Sequence, residues 1–206
     1  MLRVWGRNNS INVQKVMWAV GELGLEHERI EAGGAFGGLD TPAYGRLNPN
    51  RRVPTVEDGE VVVWESNACV RYLAARYGAG TLWPEDPAQR AVADMWMEWQ
   101  QTTLLADMTV VFWGLIRTPE DQRDDAAIQA AAKRLGSLWP MLDDRLATRR
   151  FVAGDAFTMG DIPVGAACYR YYGLPIERPD LPNVEAWYGR LAERAPFREH
   201  VMIPIT

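Results

Sequence analysis

Three short stretches in the first third of the chain carry side chains suited to holding a small polar ligand. In residues 7–12, Ser10 supplies a hydroxyl and Asn12 a carboxamide at the start of a helical pattern of apolar residues. A thiol reacts through its thiolate, and hydrogen bonds donated to sulfur beside a helix N-terminus lower its pKa. The stretch therefore indicates thiol activation or, as the alternative, two side chains that only cap the helix.

The second stretch is Arg52-Val53-Pro54-Thr55. A proline that opens a strand lacks an amide hydrogen, so it lies at an edge or a bend. A cis bond before Pro54 would turn the backbone of Val53 outward, free to pair with an extended peptide ligand. The alternative is an ordinary proline between a loop and a strand.

The third stretch is Glu65-Ser66, at the start of a helical pattern. Amide hydrogens at a helix N-terminus are unpaired, and the macrodipole there favours an anion. The Ser66 hydroxyl adds a donor, and the Glu65 carboxylate accepts from an ammonium group. The pair is suited to the α-carboxylate and α-amine of one amino acid, and the alternative is a plain helix cap.

The predicted elements around these stretches follow the order βαβ, loop, ββα. A strand over residues 2–6 precedes a helix over residues 12–23, and Gly24 ends that helix. A second strand covers residues 26–31, and Asp58-Gly59 joins two short strands as a hairpin before the last helix. This order predicts a four-stranded sheet that is parallel in its first half and antiparallel in its second.

Residues 80–87, with two prolines, form a predicted connector between a small α/β domain at 1–79 and an all-helical domain at 88–206. In the second domain the apolar spacing predicts helices from 88 to about 115, over 124–148, from about 160, and over 184–193. The fold class is therefore α/β followed by all-α.

Composition excludes several classes of function. A net charge of -5 gives no basic face for nucleic acid, and no apolar run is long enough for a signal peptide or a membrane span, so we expect a cytoplasmic protein. Cys69 and Cys168 are far apart and lie in helical patterns, which favours buried small apolar residues. His27 and His200 have no second ligand at a useful spacing, so we expect no metal.

In order and spacing, the three stretches resemble those of the cytosolic glutathione transferases. The chain is most similar to the bacterial B type of that family, through WGRNNSxNVxKV, LNPN, WESNACVRYLAARYG, WMEWQQTTL, GLIRTPEDQRD and the closing VMIPIT. FVAGDAFTMGDIPVGAA matches the family's buried capping box, with Thr158 and Asp161 at the start of a helix. The resemblance covers essentially the whole chain and implies a thioredoxin-like first domain, a helical second domain and a homodimer.

The resemblance also implies the roles of the site residues, with glutathione as co-substrate and no other cofactor. The γ-glutamyl group would bind Glu65 and Ser66, the cysteinyl backbone would pair with Val53 beside a cis Pro54, and the glycine carboxylate would lie near Arg52. The sulfur would face Ser10 and Asn12, of which we favour Asn12 as the group that stabilises the thiolate. Neither position holds cysteine or tyrosine, which argues against mixed-disulfide and tyrosine-type chemistry.

By family analogy, a small electrophile such as a haloacid would lie between the active loop and the helical domain. Trp113 and Arg117 share a helix face, and Arg7 of the active loop would approach them. A guanidinium holds a carboxylate bidentately, and the alternative pairs Arg117 with a surface aspartate.

Two other functions stay open. One is glutathione-dependent reduction of a disulfide or peroxide, because Asn12 is similar to the glutathione-contacting asparagine of the Ure2-like proteins. The other is a non-catalytic glutathione-binding regulatory protein. A panel of electrophiles and a mixed disulfide would separate these alternatives from a detoxifying transferase.

Overall fold

The computed structural model describes all 206 residues, and their contacts divide the chain into two compact units. The first unit comprises Met1–Trp83 with Ala195–Ile203, and the helical unit comprises Pro84–Arg194 with Pro204–Thr206. No helix has the length and apolar character needed to cross a membrane.

The first unit is built on a four-stranded sheet in the order β2-β1-β3-β4. Its strands are β1 (Leu2–Trp5), β2 (His27–Ile30), β3 (Thr55–Asp58) and β4 (Val61–Trp64). β1 pairs with β2 in parallel and with β3 antiparallel, and β4 is antiparallel to β3. The predicted fold class and sheet arrangement are confirmed, with a hairpin loop that turns at Gly59, whose φ is +63°.

Four helices accompany this sheet: α1 (Ile11–Glu22), α2 (Pro42–Leu47), α3 (Ser66–Tyr77) and α9 (Ala195–His200). Most residues of α1 are buried, because the helix packs against the sheet, α3 and α9. Helix α1 follows β1 after a loop over residues 6–10, and α3 follows β4 after the single residue Glu65.

The last of these helices was not predicted, because its sequence, APFREH, contains a proline and shows no helical repeat of apolar residues. Its position in the first unit also differs from the predicted division, which assigns residues 88–206 to one helical domain. The cause is a long-range contact: the Phe197 ring lies 4.6 Å from the Trp18 ring of α1. Gly21 of α1 allows Pro196 to pack closely, because a methyl group added at that glycine would lie only 2.8 Å from Pro196 Cβ.

The helical unit contains α4 (Pro87–Glu98), α5 (Leu105–Phe112), α6 (Asp125–Leu146), α7 (Asp161–Gly173) and α8 (Pro182–Ala192). The predicted helices correspond to these within a few residues at each end. Their core includes four buried tryptophans: Trp96, Trp99, Trp139 and Trp187.

The long predicted helix from residue 88 is continuous but not uniform. Two π-helical segments, Trp99–Leu104 and Trp113–Arg117, flank α5. In the second segment the Thr118 amide donates to the Trp113 carbonyl at 2.9 Å, five residues back. The Arg123 guanidinium donates to the carbonyls of Leu115 and Thr118, which satisfies acceptors at the end of the helix.

Asp161 organises the start of α7 from a fully buried position. Its Oδ1 accepts from the Val152 amide and the Trp187 indole at 3.0 Å each, and its Oδ2 accepts from the Thr158 amide at 2.9 Å. The Thr158 hydroxyl accepts from the amide of Gly160. The side chains of Thr158 and Asp161 therefore form a capping box, except that the threonine accepts from residue 160 where the usual pattern has residue 161. Burial raises the pKa of the Asp161 carboxyl to about 6.

Candidate active site

The N-termini of α1 and α3 meet through one side-chain hydrogen bond. The Ser66 hydroxyl, at the first residue of α3, donates to Asn12 Oδ1 at 3.1 Å. This bond uses the oxygen of the Asn12 side chain, which leaves its amide hydrogens as donors for a ligand. Ser66 is buried and Asn12 is half-buried, so the pair lies at the boundary between core and solvent.

Ser10 precedes α1 in an extended conformation, and its side chain makes no capping hydrogen bond. Ser10 is thus the N-cap residue by position, and its carbonyl accepts from the Gln14 amide at 2.9 Å, but its hydroxyl does not cap the helix. A hydroxyl beside unpaired helix amides is a donor in the positive end of a helix dipole.

The start of α3 has a strained backbone. Glu65 adopts a φ of +67°, a left-handed conformation that disfavours side chains other than glycine. Its carboxylate is exposed and accepts a long hydrogen bond from Asn50 Nδ2 at 3.4 Å. The turn at Glu65 thus places a carboxylate beside the open amides of an α-helix, the combination expected to bind both charges of an amino acid.

The peptide bond between Val53 and Pro54 is cis. The ladder between β1 and β3 begins at the pair Trp5–Thr55, so the sheet does not use the backbone groups of Val53. Pro54 is buried, Val53 is half-buried and Arg52 is exposed. The cis bond considered for this stretch is present, and the pairing of Val53 with a ligand stays a prediction.

A buried polar cluster that the sequence analysis missed holds this bend. Tyr44 Oη donates to the Arg52 carbonyl at 2.6 Å, and Asn48 Nδ2 donates to the same oxygen at 2.8 Å. Both groups also contact Thr55 Oγ1, at 2.9 and 3.1 Å. Burial raises the pKa of Tyr44, which keeps its hydroxyl protonated as a donor. The only sequence signal for this cluster is Asn48 in LNPN. Because asparagine is common in turns, that motif alone does not distinguish a buried hydrogen-bonding residue from an ordinary turn residue.

Gly6 allows α1 and the cis-proline bend to approach each other. A methyl group added at Gly6 would overlap Val13 Cγ2 of α1 and lie 3.2 Å from Val53 Cβ. The next residue, Arg7, turns away along the Gly33-Gly34 backbone, with Nη1 3.2 Å from the Cβ position of Gly33. The structure therefore places Arg7 against that turn, and its approach to Trp113 and Arg117 stays a prediction.

The remaining electrophile candidates belong to the helical unit. Arg117 ends the second π-helical segment, and its guanidinium carbon lies 4.9 Å from the ring centres of both Trp113 and Phe112. Trp113 is 51% exposed, so an apolar ring face is open to solvent there. The predicted neighbourhood of Trp113 and Arg117 is present, but Phe112 was not predicted because it is five residues from Arg117.

The cysteines take no part in this chemistry. Cys69 and Cys168 are fully buried, as expected, and burial raises the pKa of each thiol. A buried thiol with a raised pKa is a poor nucleophile, so neither cysteine is a candidate catalytic residue.

Comparison with known proteins decides the family. Residues 1–75 match the model of the glutathione S-transferase N-terminal domain, and residues 125–190 match that of the C-terminal domain. The chain belongs to the glutathione S-transferase family. Glutathione S-transferase GstB of Escherichia coli is 42% identical over the whole length of both chains. Glutathione S-transferase F14 of Arabidopsis thaliana is 29% identical, over 97% of this chain and 80% of its own.

The solved structures agree. The theta class glutathione S-transferase of Xanthomonas axonopodis pv. citri, with glutathione bound, superposes with a TM-score of 0.96. Its sequence is 49% identical, over 100% of this chain and 99% of its own. The protein is thus a transferase that uses glutathione, and the resemblance read from the sequence motifs is confirmed.

Proposed function

We propose that the first unit binds glutathione in an extended form across α1, the cis-proline bend and α3. The observation that carries this is the 3.1 Å bond from Ser66 to Asn12, which joins the two helix N-termini at one edge of the unit. Glu65 and Ser66 hold the ammonium and carboxylate of the γ-glutamyl group. The free backbone groups of Val53 pair with the cysteinyl residue, and Arg52 lies beside the glycine carboxylate.

The thiol is activated by stabilisation of its thiolate, because neither candidate is a good general base. Asn12 offers amide hydrogens and Ser10 a hydroxyl, both beside the N-terminus of α1. A donor to sulfur lowers the thiol pKa and raises the thiolate fraction near neutral pH. We favour Asn12, because its side chain is oriented by Ser66.

The test is the pKa of the bound glutathione thiol, measured by the ultraviolet absorbance of the thiolate as pH rises. We expect Asn12→Ala to raise this pKa and lower kcat more than Ser10→Ala does. The matched control is Asn8→Ala, an exposed asparagine in the same loop, which should change neither. A larger effect of Ser10→Ala than of Asn12→Ala would assign activation to Ser10. If the unaltered protein does not bind glutathione, the proposal is refuted.

The second substrate in this proposal is a small electrophile such as a haloacid. The thiolate attacks the carbon that bears the halogen, the carbon–sulfur bond forms, and the halide leaves with the electron pair. Arg117, stacked against Trp113 and Phe112, holds the substrate carboxylate, with Arg7 as a further cation from the active loop. We expect Arg117→Ala to raise KM for chloroacetate while sparing chlorodinitrobenzene. An equal rise in KM for both substrates would show that Arg117 does not hold the substrate carboxylate.

The same panel, with a mixed disulfide added, tests glutathione-dependent reduction. A reductase would turn over the disulfide and leave the halides unchanged, whereas binding without any turnover would identify a regulatory protein. A homodimer and a cytoplasmic location complete the proposal. Light scattering across protein concentration tests the homodimer, and a mass of one chain at every concentration would exclude it.

A further inference from the structure

The helical unit contains a cavity between α6 and the loop that joins α7 to α8. Its volume is about 910 Å³, within the range of roughly 300–1,000 Å³ that small-molecule sites occupy. None of the residues proposed for glutathione or for the electrophile lines it. The apolar part of its wall comes from both elements: Ile128, Ala132, Pro140, Pro175, Ile176 and Pro179. Such a wall is suited to an apolar chain rather than to a fully polar ligand.

A buried hydroxyl without a hydrogen-bond partner lies beside this cavity. Tyr171 of α7 is fully buried, and no group of the protein pairs with its Oη. An unpaired buried donor costs free energy, so native proteins rarely retain one. Burial raises the pKa of Tyr171 to about 12, so the hydroxyl stays protonated. It is therefore a donor that a bound ligand can satisfy.

Gly136 of α6 keeps the space beside this hydroxyl open. The glycine lines the cavity, and a methyl group built on it would lie 3.8 Å from Tyr171 Oη and 3.7 Å from Pro179 Cδ. Both are ordinary contact distances, so alanine would fit at this position without a clash. Glycine disfavours a helix interior relative to alanine. Its presence here leaves the cavity in reach of the hydroxyl.

Packing fixes the Tyr171 side chain and the loop beside it. The Tyr171 ring stacks on Trp139 with 4.6 Å between ring centres. Arg178, from the loop, donates through Nη1 to the carbonyls of Leu174 and Tyr171 at 2.8 and 3.3 Å. Its guanidinium carbon lies 5.8 Å from the centre of the Tyr171 ring. The hydroxyl is thus held in place before any ligand binds, which reduces the entropy lost on binding.

The charge near Gly136 favours an anion. Lys133 lies three residues before Gly136 on the same face of α6, lines the cavity and forms no ion pair. Two acidic residues also line the cavity. Asp125 is about 16 Å from Gly136 along the helix axis, and Glu177 is exposed beside the cation Arg178. The end of the cavity at Gly136 therefore combines an ammonium group with a hydroxyl donor.

From these contacts we infer that the cavity binds a carboxylate that carries an apolar chain, of the class of the medium-chain fatty acids. The carboxylate accepts from the Tyr171 hydroxyl and lies near the Lys133 ammonium, and the chain packs against the isoleucines and prolines of the wall. This site goes beyond the proposed function and does not depend on it.

The first test is isothermal titration of the protein with millimolar sodium octanoate. Tyr171→Phe removes one charge-assisted hydrogen bond, so it should weaken octanoate binding about tenfold. The same change keeps the ring on Trp139 and removes an unpaired hydroxyl, so the urea midpoint should not fall. A lower midpoint would show that the hydroxyl has a partner in the free protein. Either that result or an unchanged affinity would overturn the inference.

A pair of glycine variants tests the position of the ligand. Gly136→Ala should abolish octanoate binding, because the methyl group occupies the space beside Tyr171 Oη. Gly189→Ala is the matched control: Gly189 lies in α8, and nothing is within 4 Å of an added methyl group. Both changes favour the helix, so neither should lower the urea midpoint. Equal octanoate affinity in the two variants would place the ligand elsewhere and refute the site.

The last test concerns the head group of the ligand. We expect octanol and octylamine to bind more weakly than octanoate. Lys133→Gln should weaken octanoate binding several-fold and leave octanol unchanged. Octylamine binding as tight as that of octanoate would refute the anion preference, and no octanoate binding by the unaltered protein would refute the site. Since glutathione takes no part in these titrations, their failure leaves the proposed function intact.

Discussion

The sharpest test of the helical unit is the replacement of Asp161 by asparagine at two pH values. The folded-state pKa of this carboxyl is about 6, against 3.8 for an unperturbed aspartate. Because the folded value is the higher one, the folded protein takes up the proton first as pH falls. The contribution of Asp161 to the free energy of unfolding therefore rises by about 2 kcal/mol between about pH 8 and about pH 4.5.

Asparagine lacks this titration and introduces a mismatch. The carboxylate accepts four hydrogen bonds, from the amides of Val152 and Thr158, the Thr158 hydroxyl and the indole of Trp187. The amide nitrogen of asparagine must face at least one of these, which leaves a buried N–H unpaired at a cost of about 1–3 kcal/mol. At about pH 8 the relief of a buried charge offsets this cost, and at about pH 4.5 nothing does.

Asp161→Asn should therefore destabilise the protein by about 2 kcal/mol more at about pH 4.5 than at about pH 8. The assay is equilibrium urea unfolding followed by far-ultraviolet circular dichroism, with the midpoints compared at a shared m value. Asp155→Asn, an exposed aspartate in the preceding loop, is the control and should stay within about 0.5 kcal/mol at both pH values. A larger cost at the higher pH would show that the donors more than compensate for burial of the charge, and would refute the reasoning.

Three further outcomes concern the first unit and the cysteines. Gly6→Ala should cost about 1–3 kcal/mol of stability and raise KM for glutathione, because the methyl group would push α1 from the cis-proline bend; an unchanged urea midpoint would contradict this. Tyr44→Phe should cost about 1–2 kcal/mol, since its hydroxyl contacts the Arg52 carbonyl and Thr55 Oγ1; an unaltered urea midpoint would speak against this cluster as a support of the bend. Cys69 and Cys168 should resist a thiol reagent until urea unfolds the chain, and rapid labelling in the native state would be the opposing result.

The elements that were predicted well depend on local signals. The hairpin before β4 follows from Asp58-Gly59 between β-branched runs, and the end of α1 follows from Gly24, whose φ is +61°. The Glu65-Ser66 pair could be placed at a helix start for the same reason, because capping residues and the apolar repeat that follows them are neighbours in sequence.

The features that were missed depend on contacts between distant parts of the chain. Helix α9 is stabilised by packing of Phe197 against Trp18, and the sequence of residues 195–200 gives no indication of that contact. Asn48 reads as a turn residue until the fold brings the Arg52 carbonyl and Thr55 within its reach. The π-helical turn before Thr118 likewise has no local pattern, so Phe112 could not be grouped with Arg117 on helical spacing.

The left-handed backbone at Glu65 has a consequence for engineering the enzyme. A residue other than glycine held at a φ of +67° costs about 1–2 kcal/mol, so glycine at this position would relieve the strain. The same change would delete the carboxylate proposed to hold the ammonium of glutathione. On the proposed role of Glu65, a library selected only for heat resistance would therefore enrich variants that bind glutathione weakly, and thermal selection of this scaffold must be coupled to a turnover screen.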